Sequence, residues 1–277
     1  HFGYLRGLLS EMGISPTSQT LVFSKTSLQR QRISPKTPRA LYFNDEIYVG
    51  FCQQGEVLEV SAVDPQLGAV FYTVSQSRAD RPQIVRQSDN CLICHASSQT
   101  KEVPGHLLRS LFVDRSGMPI LSAGSHRVDQ TTPFELRWGG WYVTGIHGEQ
   151  NHLGNLVIPG DRVPDKVDNA SGMNVTDLST RFDTAAYLSP HSDIVALLVL
   201  EHQTDVHNLI ARANFGTRQA MHHQQLLNRE LNEPADHEWD STRTRIRSAC
   251  EPLVEAILLS GEAPLKGRVR GTSRFAE

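Results

Sequence analysis

The sequence is short of several things, and each shortage removes a class of protein. No run approaches the roughly 18 consecutive apolar residues that span a bilayer, and the longest, residues 194–200, stops at Glu201. A transmembrane segment is not expected. Positive charge is not in excess either. Lys plus Arg number 27 against 30 for Asp plus Glu, a formal charge of −3, so the chain lacks the basic footprint through which nucleic-acid binders displace counterions. Nucleic acid is not an expected partner. Cysteine is scarce, with Cys52, Cys91, Cys94 and Cys250 the only four in 277 residues, too few for a disulfide scaffold. Repeats and low-complexity tracts are absent, and 39 % apolar with 21 % charged residues describes an ordinary globular chain of one to two domains. The chain opens at His1 with no basic or apolar leader, as after removal of a targeting segment or in an excerpt of a longer protein.

Two of the four cysteines sit in Cys91-Leu92-Ile93-Cys94-His95, the C-x-x-C-H pattern of covalent c-type haem attachment. The chemistry requires that spacing. Two thiols three positions apart can each form a thioether with one haem vinyl group, and the histidine after the second is placed beneath the iron as proximal ligand. A thioredoxin-like reading needs a strand before the motif and a helix opening at it, whereas the lead-in Arg86-Gln87-Ser88-Asp89-Asn90 is polar. A zinc site needs a second C-x-x-C, and there is none. The expected cofactor is one covalent haem c on Cys91 and Cys94, with His95 as metal ligand.

With that motif the chain resembles the bacterial c-type cytochromes, and its flanking blocks narrow the likeness. Leu21-Val22-Phe23-Ser24-Lys25-Thr26-Ser27, Ala40-Leu41-Tyr42-Phe43-Asn44-Asp45, Val103-Pro104-Gly105-His106 and Arg137-Trp138-Gly139-Gly140-Trp141-Tyr142-Val143-Thr144-Gly145 are similar to a family of secreted single-haem proteins of planctomycete-type bacteria. The resemblance runs over most of the chain. It implies export to the periplasm or beyond the cell, and haem attachment outside the cytoplasm. It singles out no activity. The length exceeds that of the small all-helical cytochromes c, so only the attachment residues carry over.

The hydrophobic pattern predicts an α+β fold: antiparallel sheet segments around a haem loop, followed by a C-terminal antiparallel helical pair. Residues 2–12 place Leu5, Leu8, Leu9 and Met12 at helical spacing before Gly13. β-Branched and aromatic runs at 21–23, 40–43, 47–51, 57–63 and 69–74 read as a meander broken by turn residues. A second hairpin is expected from 107–113 and 119–122 around Asp114-Arg115-Ser116-Gly117, with more strand at 141–144 and 156–158. Residues 161–188 read as a long loop. A helix is expected from Ser189-Pro190 to about Leu231, and another over residues 237–259. This divides the chain into a mainly β haem-binding region (1–160), a loop, and a helical region (189–277), which can also form one continuous domain.

Function turns on the sixth position of the iron, because two strong protein ligands favour electron transfer and an open position permits small-molecule chemistry. His152, His147 and His106 are the distal candidates, one at most. Met118 and Met173 are weaker ones, and of His202 and His207, about 140° apart around a helix, at most one can face the iron. Arg109 and Arg137 are candidate partners of the haem propionates, and Trp138 and Trp141 candidate pocket walls. A free N-terminal His1 could join a second histidine in a copper brace, although no partner adjoins it. The expected activity is single-electron transfer to redox partner proteins; the alternative is a haem enzyme or gas-binding protein with an open distal site.

Overall fold

The computed structural model describes residues 2–277, so His1 and its copper-brace reading lie outside the described residues. The fold is α+β. Its strands are β1 (Thr20–Val22), β2 (Arg39–Phe43), β3 (Ile47–Phe51), β4 (Val57–Asp64), β5 (Gly68–Ser75), β6 (Ile84–Gln87), β7 (Arg109–Leu111), β8 (Ser125–Arg127), β9 (Trp141–Tyr142), β10 (Gly145–Ile146) and β11 (Arg270–Gly271). Seven of them form one antiparallel sheet in the order β6-β5-β4-β3-β2-β1-β9, while β7 pairs with β8 and β10 with β11. The helices are α1 (Leu5–Glu11), α2 (Asp89–His95), α3 (Ile194–Glu230) and α4 (Asp240–Ile257).

Successive side chains of a strand point to opposite faces, and here both faces are used. Leu21, Ala40, Tyr42 and Val49 face a core with Leu5 and Leu9 of α1. Those two leucines stand four apart, and Gly13, at φ +64°, ends the helix with Ile14 N–H donating to Leu9 O at 2.8 Å. Val22 and Tyr48 face the other way, toward Trp141 and Ile194, Leu197 and Leu200 of α3. This second face is only partly filled, and the unfilled part is the cavity described below.

The five strands expected between residues 21 and 74 are present as β1 to β5, within about two residues of the expected ends. Three expectations need correction. The turn at Asp114 exists, with Asp114 Oδ1 accepting from Ser116 and Met118 N–H, but it closes only a bridge between Val113 and Pro119; β7 pairs instead with β8. Residues 156–158 form no strand, although Ile158 N–H donates to Val113 O. The serine-proline start at 189–190 is not the cap of α3. Asp193 is, accepting from Val195 and Ala196 N–H while its other oxygen receives Thr272 and Ser273 N–H. One carboxylate thus starts the helix and fastens the chain beside β11. Helices α3 and α4 are antiparallel, since Gly216 lies against Ala249 and Asn228 bonds Trp239.

Candidate functional site

The motif occupies α2, a helix of seven residues. Asp89 in its first turn complements the positive end of the helix. Beyond it the chain is stitched down. Ser97 and Thr100 form a capping box, Lys101 Nζ lies 3.0 Å from Asp205 of α3, and Asn208 of α3 bonds both N–H and C=O of His106 at 2.7 Å. Pro104 O accepts from Ala69 N–H of β5.

That stitching fixes His95. Its Nδ1 donates to Gly105 O at 2.9 Å, and Gly105 N–H returns a bond to His95 O at 2.8 Å. A carbonyl can only accept, so Nδ1 carries the proton and Nε2 keeps its lone pair, the arrangement of a metal-ligating histidine with its outer hydrogen bond in place. Burial holds the imidazole below its ordinary pKa, against the opposing pull of the Gly105 bond, so it is neutral at physiological pH. Gly105 has no room for a side chain: a Cβ would lie 2.2 Å from Asn208 Oδ1. The ring of Phe71 packs 4.7 Å from that of His95.

Cys91, Cys94 and His95 together line a cavity of about 490 Å³, in the range of cofactor sites. Its floor is one face of the sheet, where Arg39 and Leu41 of β2, Tyr48 and Gly50 of β3, Glu59 and Ser61 of β4, and Phe71 and Thr73 of β5 alternate inward. Arg109, Trp141 and Leu200 complete the walls. In a chain of net charge −3, the lining holds four cations, Lys25, Arg30, Arg39 and Arg109, and one carboxylate, Glu59. The Nε atoms of Arg39 and Arg109 are buried without acceptors. A lining with more cations than carboxylates suits a ligand bearing carboxylates, as haem does, and the apolar remainder suits its ring. The residues present fit the group.

Local layout does not by itself separate this motif from a thioredoxin-type pair, because strand β6 runs into the lead-in at Arg86 and Gln87 and the helix carrying the motif opens at Asp89. Reactivity does. A redox C-x-x-C lowers the pKa of its first thiol, whereas burial, with Glu59 adding to it, raises that of Cys91. Among the described residues no three His, Cys, Asp or Glu side chains converge as a cage for a metal ion.

The candidates from sequence divide. Arg109, Trp141 and His106 line the cavity with the motif. Trp141 Nε1 donates to Arg109 O at 2.9 Å, and Ser61 Oγ lies 2.8 Å from His106 Nε2. Arg137, Trp138, His147 and His152 do not line it. Buried Arg137 is spent on Glu201, on Thr132 O and on Gln130 O, and Trp138 Nε1 donates to the second Glu201 oxygen at 3.0 Å. Burial pushes that carboxyl above the usual carboxylate range, against the pull of the guanidinium. The rings of His147 and His152 pack 4.7 Å apart, beside Phe134. His147 Nε2 accepts from Asn174 N–H, and His152 Nδ1 from Gly154 N–H. Met118 is half-exposed outside the cavity, and His207 bonds the hydroxyl of Tyr48. Cys52 and Cys250 are free thiols, and burial pushes Cys52 up to about 12.

Arg39 and Glu59 were not foreseen. The available signal was polar residues at the inward positions of apolar strands, beside a mid-strand glycine, which marks a close approach of other groups. Comparison of the chain with protein-family profiles, curated proteins and solved structures finds no match.

Proposed function

We propose that the chain binds one haem c through thioethers to Cys91 and Cys94, with His95 as proximal ligand, and carries single electrons between redox partner proteins. The observation that supports this most directly is the hydrogen bond from His95 Nδ1 to Gly105 O on the wall of a cavity that both motif thiols also line. When bound, the haem supplies the Fe(III)/Fe(II) couple. The chain's part is to hold and tune it. The Gly105 bond fixes the imidazole tautomer and raises its basicity, while Arg109, and the Lys25 and Arg30 cations, offer charge partners for propionates. Leu41, Phe71 and Trp141 exclude water from the ring, and burial of this kind sets the potential. On this reading the chain is exported, since its thioethers are made outside the cytoplasm.

A second reading, a ligand-exchangeable iron, is favoured by one observation. The cavity lining contains no methionine, and its histidine other than His95, His106, is already bonded to Ser61. The reduced-protein optical spectrum separates the two. Haem that stays with the polypeptide in acidified acetone, with a spectrum indifferent to carbon monoxide, supports the carrier. A Soret band that carbon monoxide displaces supports the exchangeable site. Haem that extracts freely defeats both.

A further inference from the structure

Tyr48 of β3 joins the cavity to helix α3. Its ring stands on the cavity floor, 4.3 Å from the ring of His106. Its hydroxyl is met from α3 by Gln203 and His207. Gln203 Nε2 donates to Asn44 O and to the Tyr48 oxygen, each at 2.8 Å. A phenol oxygen that accepts a bond still has its own hydrogen to give, and His207 Nδ1 stands 2.9 Å away. The phenol thus donates to an imidazole base.

His207 is placed to take that proton and hold it. Burial lowers its pKa, so the ring is neutral with a lone pair on Nδ1, while the Asp45 and Glu46 carboxylates favour the charged form that proton uptake makes. His106, its ring 6.2 Å from that of His207, is kept neutral by its own burial. Burial also raises the pKa of the Tyr48 hydroxyl, so the phenol gives up its proton only if it gives up an electron as well. Trp141, another oxidisable ring on these walls, differs. Its N–H goes to the Arg109 carbonyl, which cannot carry a proton away.

We propose that Tyr48, with His207 as its proton acceptor, is an oxidisable relay that returns one electron to the haem after hydrogen peroxide has oxidised it. This rests on the second reading above, since peroxide must reach the iron. Peroxide takes two electrons from the haem as its O–O bond breaks. Tyr48 gives one electron back through the ring on the cavity floor, and its O–H proton crosses the 2.9 Å bond to His207 Nδ1, leaving a neutral phenoxyl radical and an imidazolium. An electron from a redox partner protein, with the proton returned by His207, restores the phenol. Overall, peroxide, two partner electrons and two protons give two waters.

The test adds hydrogen peroxide to the haem-loaded ferric protein and follows it by rapid-freeze electron paramagnetic resonance and by the Soret band, in wild type, Tyr48→Phe and His207→Gln. Wild type should show a tyrosyl radical that narrows when the tyrosine rings are deuterated, and Tyr48→Phe should lose it. His207→Gln keeps an acceptor for the phenol but no base, and should slow radical formation about a hundredfold, the low end of what a positioned base contributes. It decides the matter where Tyr48→Phe does not fold, and radical formation at the wild-type rate in His207→Gln overturns the relay. No tyrosyl radical in wild type, or one that survives Tyr48→Phe, while peroxide moves the Soret band, overturns the relay and leaves the exchangeable iron standing. A covalent haem whose Soret band ignores peroxide overturns both together.

Discussion

Two regions of the molecule use nearly the same residue types to opposite ends. The cavity holds histidine, tryptophan and arginine beside the C-x-x-C-H helix. The cluster at Arg137, Trp138, His147 and His152 holds the same three types, completely buried. They differ in what their polar atoms do. In the cluster, Arg137 bonds two carbonyls and a carboxylate, Glu201 accepts with both oxygens, and each histidine accepts from a backbone N–H. In the cavity, two arginine Nε atoms have no acceptor and four cations meet one carboxylate. Apart from His147 Nδ1, which is buried without a partner, the bonds of the cluster close within the core, whereas the cavity keeps a surplus of cations that suits an anionic ligand.

The largest expected effect tests the cavity side. Replacing both Cys91 and Cys94 with alanine should abolish haem that survives acid-acetone extraction, whereas Arg137→Met should leave covalent haem on whatever protein folds. Extraction-resistant haem in the double variant would break the division.

The next effect belongs to the cluster. Glu201→Ala strands the Arg137 guanidinium in the core and should cost about 3–5 kcal/mol of stability, the usual result of removing one partner from a buried pair. Urea denaturation measures it. The Soret and α-bands of the folded fraction should not move, because neither residue lines the cavity.

His152 gives the cluster a pH signature. Burial, with His147 adding to it, lowers its pKa to about 3, while the unfolded chain has an ordinary value near 6.5. Between those values the unfolded state binds the proton and the folded state does not. The free energy of unfolding therefore falls as pH falls from about 6.5 to about 3, by up to about 1.4 kcal/mol per unit. His152→Asn keeps an acceptor for Gly154 N–H and should flatten that slope, read from chemical denaturation at successive pH values.

Sequence made the meander legible because its apolar residues recur at the strand period and its turns carry Asn-Asp, Gln-Gly and Asp-Pro. It made the motif legible because thioether chemistry fixes its spacing. Strand β6 was hidden: Ile84, Val85 and Arg86 are exposed on a sheet edge, with no buried face to imprint a period. The allocation of Trp138 and Trp141 was hidden for another reason. They stand three apart and are both buried, and only the tertiary course of the chain sends one indole to Glu201 and the other to the cavity wall. The same holds for Arg39, whose guanidinium lies over Gly50 and reaches Glu59, residues of two other strands.

His106 stands nearest the boundary between the two kinds of region, and it yields the smallest expected effect. It is buried, bonds Ser61, and keeps an unpartnered Nδ1, so it shares features of both. Its place in the chain decides its role. Gly105 O takes the proton of His95 Nδ1, which puts the 105–106 backbone at the edge of the imidazole turned away from Nε2. His106 therefore belongs behind the proximal ligand and not across the ring from it. His106→Gln retains a polar partner for Ser61, so the ferric and ferrous spin states should match those of wild type, with stability lowered by about 1 kcal/mol for an altered buried hydrogen bond. Conversion of a low-spin spectrum to high-spin in this variant would make His106 the distal ligand and remove the ground for an exchangeable iron.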